Sequence, residues 1–105
     1  MTITTHLITF GASAVQFPTD APGLSRVFCE PLRSNAHVSY VGVAAVTNNG
    51  SGIGVIQELA APPAATVPCD NYNLENEASD DTIDPDQLWA HGTAGEKLKV
   101  TYYQN

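Results

Sequence analysis

Lys97-Leu98-Lys99-Val100-Thr101-Tyr102-Tyr103 is the stretch that decides the fold class. Successive side chains of an extended strand point to opposite faces, so Leu98, Val100 and Tyr102 share one face, and Lys97, Lys99, Thr101 and Tyr103 share the other. The first set is expected in a core. Working toward the N-terminus, the same approximate period of two recurs in Thr- and Val-rich segments broken by Gly, Pro, Asn and Asp, and no window carries a sustained helical stripe. Strands are expected at Thr2 to Thr9, Ala12 to Phe17, Ser25 to Glu30, His37 to Val46, Ile53 to Leu59, Ala65 to Cys69, Gln87 to Gly92 and Lys97 to Tyr103. Many short strands with frequent turns predict an all-β fold: one antiparallel β-sandwich, jelly-roll-like, or a barrel of about eight short strands.

The turns follow from residue chemistry. Asn48-Asn49-Gly50-Ser51-Gly52 is expected to turn a hairpin, because Asn and Gly tolerate the positive φ that tight turns demand. Pro18 to Gly23 and Glu30 to Ala36 read as loops, since proline lacks the N–H for a ladder bond. Ala60 to Ala65, with its paired prolines, reads as an extended corner between sheets. In Gln87 to Gly92 the alternation sets Leu88 and Ala90 against Trp89 and His91, and Trp89 is either a core anchor or an interface residue.

Length and composition bound the rest. At 105 residues, the chain is one domain spanning residues 1–105. Hydrophobic residues make up 43% but charged residues only 14%, well under the roughly 25% of an average soluble domain. That balance argues against disorder and leaves a surface covered largely by Thr, Ser, Asn, Gly and Ala. A net charge of −7 with four bases, Arg26, Arg33, Lys97 and Lys99, argues against a nucleic-acid surface, which needs clustered cations. The longest apolar run, Val41 to Val46, falls far short of the roughly 20 residues that span a bilayer, so no membrane partner is expected. Met1 to His6 has no Lys or Arg before its apolar residues and does not read as a secretory signal. Cys29 and Cys69 read as two buried thiols, with a disulfide as the alternative.

No constellation of catalytic residues stands out. His6, His37 and His91 lie on three predicted strands without ligand spacing, so they read as ordinary strand histidines. There is no Gly-x-Ser-x-Gly nucleophile turn. Gly50 to Gly54 lacks the Lys-Ser/Thr of a phosphate loop and leads into a strand where a helix is required. Asp70, Glu75, Glu77, Asp80, Asp81, Asp84 and Asp86 form an acidic stretch that reads as a solvated loop. Asp80, Asp81, Asp84 and Asp86 could ligate calcium or dock on a basic partner, although their spacing is not that of an EF-hand. The expectation is a protein without enzymatic activity, cofactor or metal.

The C-terminal segment Leu88-Trp89-Ala90-His91-Gly92-Thr93-Ala94-Gly95-Glu96-Lys97-Leu98-Lys99-Val100-Thr101-Tyr102 resembles the ending of small virion proteins of tailed bacteriophages. Looser similarities lie at Val27-Phe28-Cys29, Asn35, Tyr40-Val41-Gly42 and Val46-Thr47. The resemblance implies a viral structural protein of the capsid decoration (cement) type, bound as a homotrimer to the major capsid protein on the virion surface and made in the host bacterial cytoplasm. Candidate partner contacts are Thr2, Ile3 and Thr4 on the N-terminal edge, Asp80, Asp81, Asp84 and Asp86 in the acidic loop, and Trp89. The alternatives are a tail or head-tail accessory protein, or a fibre-borne receptor- or carbohydrate-binding module with Trp89, Tyr102 or Tyr103 as a stacking platform. An enzyme would need a deep cleft where His37 or His91 meets a carboxylate.

Overall fold

The computed structural model describes residues 1–21, 23–62, 69–75 and 82–104. These form eight strands: β1 (Thr2–Thr9), β2 (Val15–Gln16), β3 (Leu24–Pro31), β4 (Ser39–Gly42), β5 (Val55–Leu59), β6 (Tyr72–Glu75), β7 (Trp89–His91) and β8 (Lys97–Gln104), with a 3₁₀ turn at Pro85–Gln87. Their antiparallel pairing has a simple order: β1 with β8, β2 with β7, β3 with β6, and β4 with β5. That is one long hairpin whose tip is the loop of residues 43–54. Rolling the ribbon over brings β3 against β8 and β4 against β7, and the result is two sheets, β1-β8-β3-β6 and β2-β7-β4-β5. This is the strand order of a jelly roll, in which a ribbon closes over one core without knotting the chain.

Leu98, Val100 and Tyr102 face the core as their alternation requires, each at most 1% exposed. A register shift between Leu24 and Arg26 lets β3 bury both Leu24 and Val27. The opposite sheet contributes Val41, Leu59 and Ala90, and Phe10, Phe17 and Leu88 complete the core. The Tyr102 hydroxyl donates to the Pro18 carbonyl at 2.6 Å, and its ring meets that of His6 edge-on at 5.1 Å between centroids.

Cys29 and Cys69 are both free thiols; Cys29 is buried and Cys69 is only half-buried. Burial pushes the Cys29 thiol up from 9.0 to about 12 and raises Tyr102 as well. A raised folded-state pKa means that the contribution to stability is whole below about pH 9 and is lost as pH rises toward 12. Chemical denaturation should therefore show stability falling with alkaline pH, by about 1 kcal/mol per pH unit from this thiol alone. Cys29→Ala should flatten that slope while lowering stability at neutral pH.

Several boundaries differ from the sequence expectation. The strand expected at Ala12 to Phe17 shrinks to two residues. The one expected at His37 to Val46 stops at Gly42, where the chain turns and the Val46 N–H bonds back to the Val43 carbonyl at 2.9 Å. Of the strand expected at Ala65 to Cys69, Cys69 lies in no strand and the other residues are outside the described set. β6 instead occupies part of the acidic stretch, which reads as loop throughout in the sequence. Residues 92–96 join β7 to β8, which belong to different sheets. They cross between layers, held by bonds from the Phe10 N–H to the Glu96 carbonyl and from the Gly95 N–H to the Phe10 carbonyl.

Candidate interaction surface

Among the described residues the sheet order leaves four edges, at β1, β6, β2 and β5. An edge strand offers unpaired N–H and C=O groups to any passing strand, and folded proteins ordinarily guard it with shortness, charge, proline or a bulge. β2 has two residues and β6 four, the last of them Glu75. β5 carries exposed Gln57 and Glu58, and its pairing with β4 is irregular. β1 has none of these guards. Its eight residues, Thr-Ile-Thr-Thr-His-Leu-Ile-Thr, include no proline, lysine, arginine or carboxylate, and its register with β8 runs unbroken from Thr2↔Gln104 to Thr9↔Lys97.

The backbone polarity of β1 follows from alternation. The Phe10 N–H continues the ladder to the Glu96 carbonyl, so the even residues Thr2, Thr4, His6 and Ile8 bond to β8, and Ile3, Thr5, Leu7 and Thr9 direct their N–H and C=O groups to the open edge. The same odd residues put their side chains on the outer face, where Ile3 is 58% and Leu7 55% exposed. Behind them the register lines up Ile3 with Tyr103 and Arg26, and Thr5 with Thr101 and Phe28. The Arg26 guanidinium lies 4.8 Å from the Tyr103 ring centre and 5.3 Å from that of Phe28, while its Nε is 2.6 Å from Asn73 Oδ1 and 3.3 Å from Glu75. Lys99 pairs with Glu30 at 2.9 Å. Two of the three cations of this face, Arg26 and Lys99, are thus matched within the sheet, and the third, Lys97, stands at its end opposite Thr9, leaving a weakly charged aromatic and aliphatic surface between. The outward positions of Arg26, Phe28 and Tyr103 follow the period of two in their strands, but their sequence separation hid that they meet.

Of the residues singled out in sequence, Thr2, Ile3 and Thr4 lie together on the open edge. Asp80 and Asp81 lie outside the described residues. Asp84 caps the 3₁₀ turn, its Oδ1 accepting the Asp86 N–H at 3.2 Å. The Asp86 side chain accepts from Gln87 at 2.8 Å and its carbonyl from Gln16 at 3.0 Å. Among the described residues no three His, Cys, Asp or Glu groups gather as a metal site would require. Trp89 is half-buried on the outer face of the other sheet, opposite Gln16 and Gly42. It is not a core anchor, because Leu88 and Ala90 take the inward positions. With Tyr102 buried and Trp89 and Tyr103 on the outer faces of opposite sheets, these three aromatics form no common stacking platform.

The histidines stay apart. His6 stands 3.3 Å from Asp20, and the His91 ring nitrogen Nδ1 3.2 Å from the Val46 carbonyl. His37 does meet a carboxylate, Glu96, at 3.1 Å, but a cleft of about 390 Å³, lined in part by Glu30, Arg33, Cys69 and Lys99, contains no histidine. Glu96 serves the fold: its oxygens accept the Ala36 N–H at 2.7 Å and the His37 N–H at 3.2 Å, beside the Asn35 amide, which donates to the Lys97 carbonyl at 2.7 Å. Burial works to raise the Glu96 pKa, but these hydrogen bonds outweigh it and hold the carboxyl below its ordinary 4.5. The stability it contributes is present above that value and is lost as pH falls through the lowered pKa. Glu96→Ala should cost about 1–3 kcal/mol at pH 7, and urea titrations should show the gap to the parent protein closing in acid.

The chain matches no family model, no curated protein and no solved structure.

Proposed function

We propose that the chain is a non-enzymatic structural protein of a tailed-phage virion, a capsid decoration protein that binds the major capsid protein at the outer surface and stabilises the shell. The observation that carries this reading is the weakly charged outer face of the β1-β8-β3-β6 sheet, an aromatic and aliphatic surface suited to burying area against neighbouring subunits. The resemblance of residues 88–102 to the ends of small phage virion proteins supports it. The jelly-roll order, which recurs in viral capsid and lectin domains, supports it only by analogy of fold.

Cement acts by binding the assembled shell in preference to its separated subunits, which shifts the disassembly equilibrium by mass action. The test compares particles made with and without the protein. Bound protein in a fixed ratio to capsid subunits, with a higher temperature of DNA release, is the expected result. Equal heat and osmotic stability of the two particles would contradict it, and labelling confined to the tail would reassign the protein to a tail component.

A further inference from the structure

The geometry points to a two-fold pairing of β1 with β1 of a second copy, antiparallel and centred on Thr5, so that Ile3 lies opposite the partner's Leu7 and two four-stranded sheets become one of eight. The argument starts from the open backbone. Ile3, Thr5, Leu7 and Thr9 already direct their hydrogen-bonding groups to the edge, and an antiparallel partner must answer them in kind. A two-fold axis perpendicular to the sheet keeps both outer faces on one side, so odd residues must oppose odd residues. Centring on His6 would set Ile3 against Thr9 and Leu7 against Thr5, and centring on Thr4 would leave Leu7 beyond the start of the partner strand. Only the Thr5 centre places the two exposed apolar side chains of the strand, Ile3 and Leu7, against each other, twice over. Apolar cross-strand pairs are the contacts that stabilise such ladders.

A second copy is favoured over another protein because the edge is its own complement. Ile3 and Leu7 stand symmetrically about Thr5, and β1 holds no charge that would select an oppositely charged partner. The net charge of −7 does not oppose the contact locally, since Glu30 and Glu75 on the same face are paired with Lys99 and Arg26. This contact does not depend on the virion reading, and it replaces the trimer implied by the resemblance with a two-fold pair.

Light scattering on the eluting protein should give twice the chain mass of 11.1 kDa. Thr5→Pro removes an N–H that points to the edge and not to β8, a position where a sheet accommodates proline, so it should return the mass to a single chain with the far-ultraviolet spectrum unchanged. If that variant fails to fold, Leu7→Lys at an exposed position gives the same reading. In a Cys69→Ser background, mild oxidation of Thr5→Cys should yield a covalent dimer, because directly opposed residues have Cα atoms about 5.5 Å apart, within disulfide range. A parent protein that runs as a single chain or as a trimer overturns the proposal. Cross-linking through His6→Cys with none through Thr5→Cys overturns the register.

Discussion

Truncating Tyr102 to alanine is expected to cost about 3–5 kcal/mol, the range for removing a large aromatic side chain from a core. Tyr102 is the largest fully buried side chain among the described residues, at 1% exposure. It lies on β8, which is paired with β1 on one side and β3 on the other along nearly its whole length, and its hydroxyl ties that strand to the Pro18 loop. Its loss would open a cavity beside Val27, its register partner, and His6, whose ring meets it edge-on, and would strip the Pro18 carbonyl of its donor. Domains of this size are stable by about 5–15 kcal/mol, so the variant should be partly unfolded at room temperature or should melt far below the parent. Tyr102→Phe separates the two effects: it keeps the ring and should cost about 1 kcal/mol for the hydrogen bond. Urea titration of both variants checks the pair, and a Tyr102→Ala cost no greater than that of Tyr102→Phe would refute the assignment of this ring to the core.

Gly42→Ala should destabilise comparably, by about 3 kcal/mol, by overpacking instead of cavity formation. A Cβ at Gly42 would collide with the backbone carbonyl of Gly54 and press on the Val46 side chain at 3.0 Å. The Gly54 carbonyl cannot retreat freely, because it accepts the Val43 N–H at 3.0 Å. Gly54 itself has φ +72° and lies so close to residues 45 and 46 that its own Cβ would stand 2.7 Å from backbone atoms. These two glycines let the tip of the rolled hairpin fold back over β4. Gly50, also at positive φ but in open space, is the control: Gly50→Ala carries backbone strain alone, about 1 kcal/mol. Denaturation midpoints that failed to separate Gly42→Ala from Gly50→Ala would contradict the close crossing at residues 42 and 54.

The sequence was most informative where alternation was long. Thr2–Thr9 matches its expected limits, and the expected strand at Lys97 to Tyr103 is only one residue shorter than β8, because eight residues of period two specify a strand without outside help. The hairpin tip at Asn48–Gly52 is legible from turn chemistry, and it is the point about which the whole jelly roll is wound. β6 was missed because Tyr72-Asn73-Leu74-Glu75 holds only two apolar residues and opens an acidic stretch, so its alternation was outweighed by charge. The direction of Trp89 was undecidable locally. Two faces of a short strand are equivalent until a second sheet packs on one of them, and that sheet covers Leu88 and Ala90. The candidate surface was half legible: Thr2, Ile3 and Thr4 could be named, but their standing at an open edge depends on sheet order, which arises only when β8 inserts between β1 and β3.

Residue-resolved amide hydrogen exchange along β1 tests the central claim most directly, since the strand carries two classes of N–H that differ only in their partner. The amides of Thr4, His6 and Ile8 bond to β8 and should be protected at every protein concentration. Those of Ile3, Thr5 and Leu7 face the open edge, and protection of these three that grows with protein concentration and vanishes in Leu7→Lys is the predicted result. Rapid exchange of Ile3, Thr5 and Leu7 at all concentrations would show that no strand of a second copy pairs there.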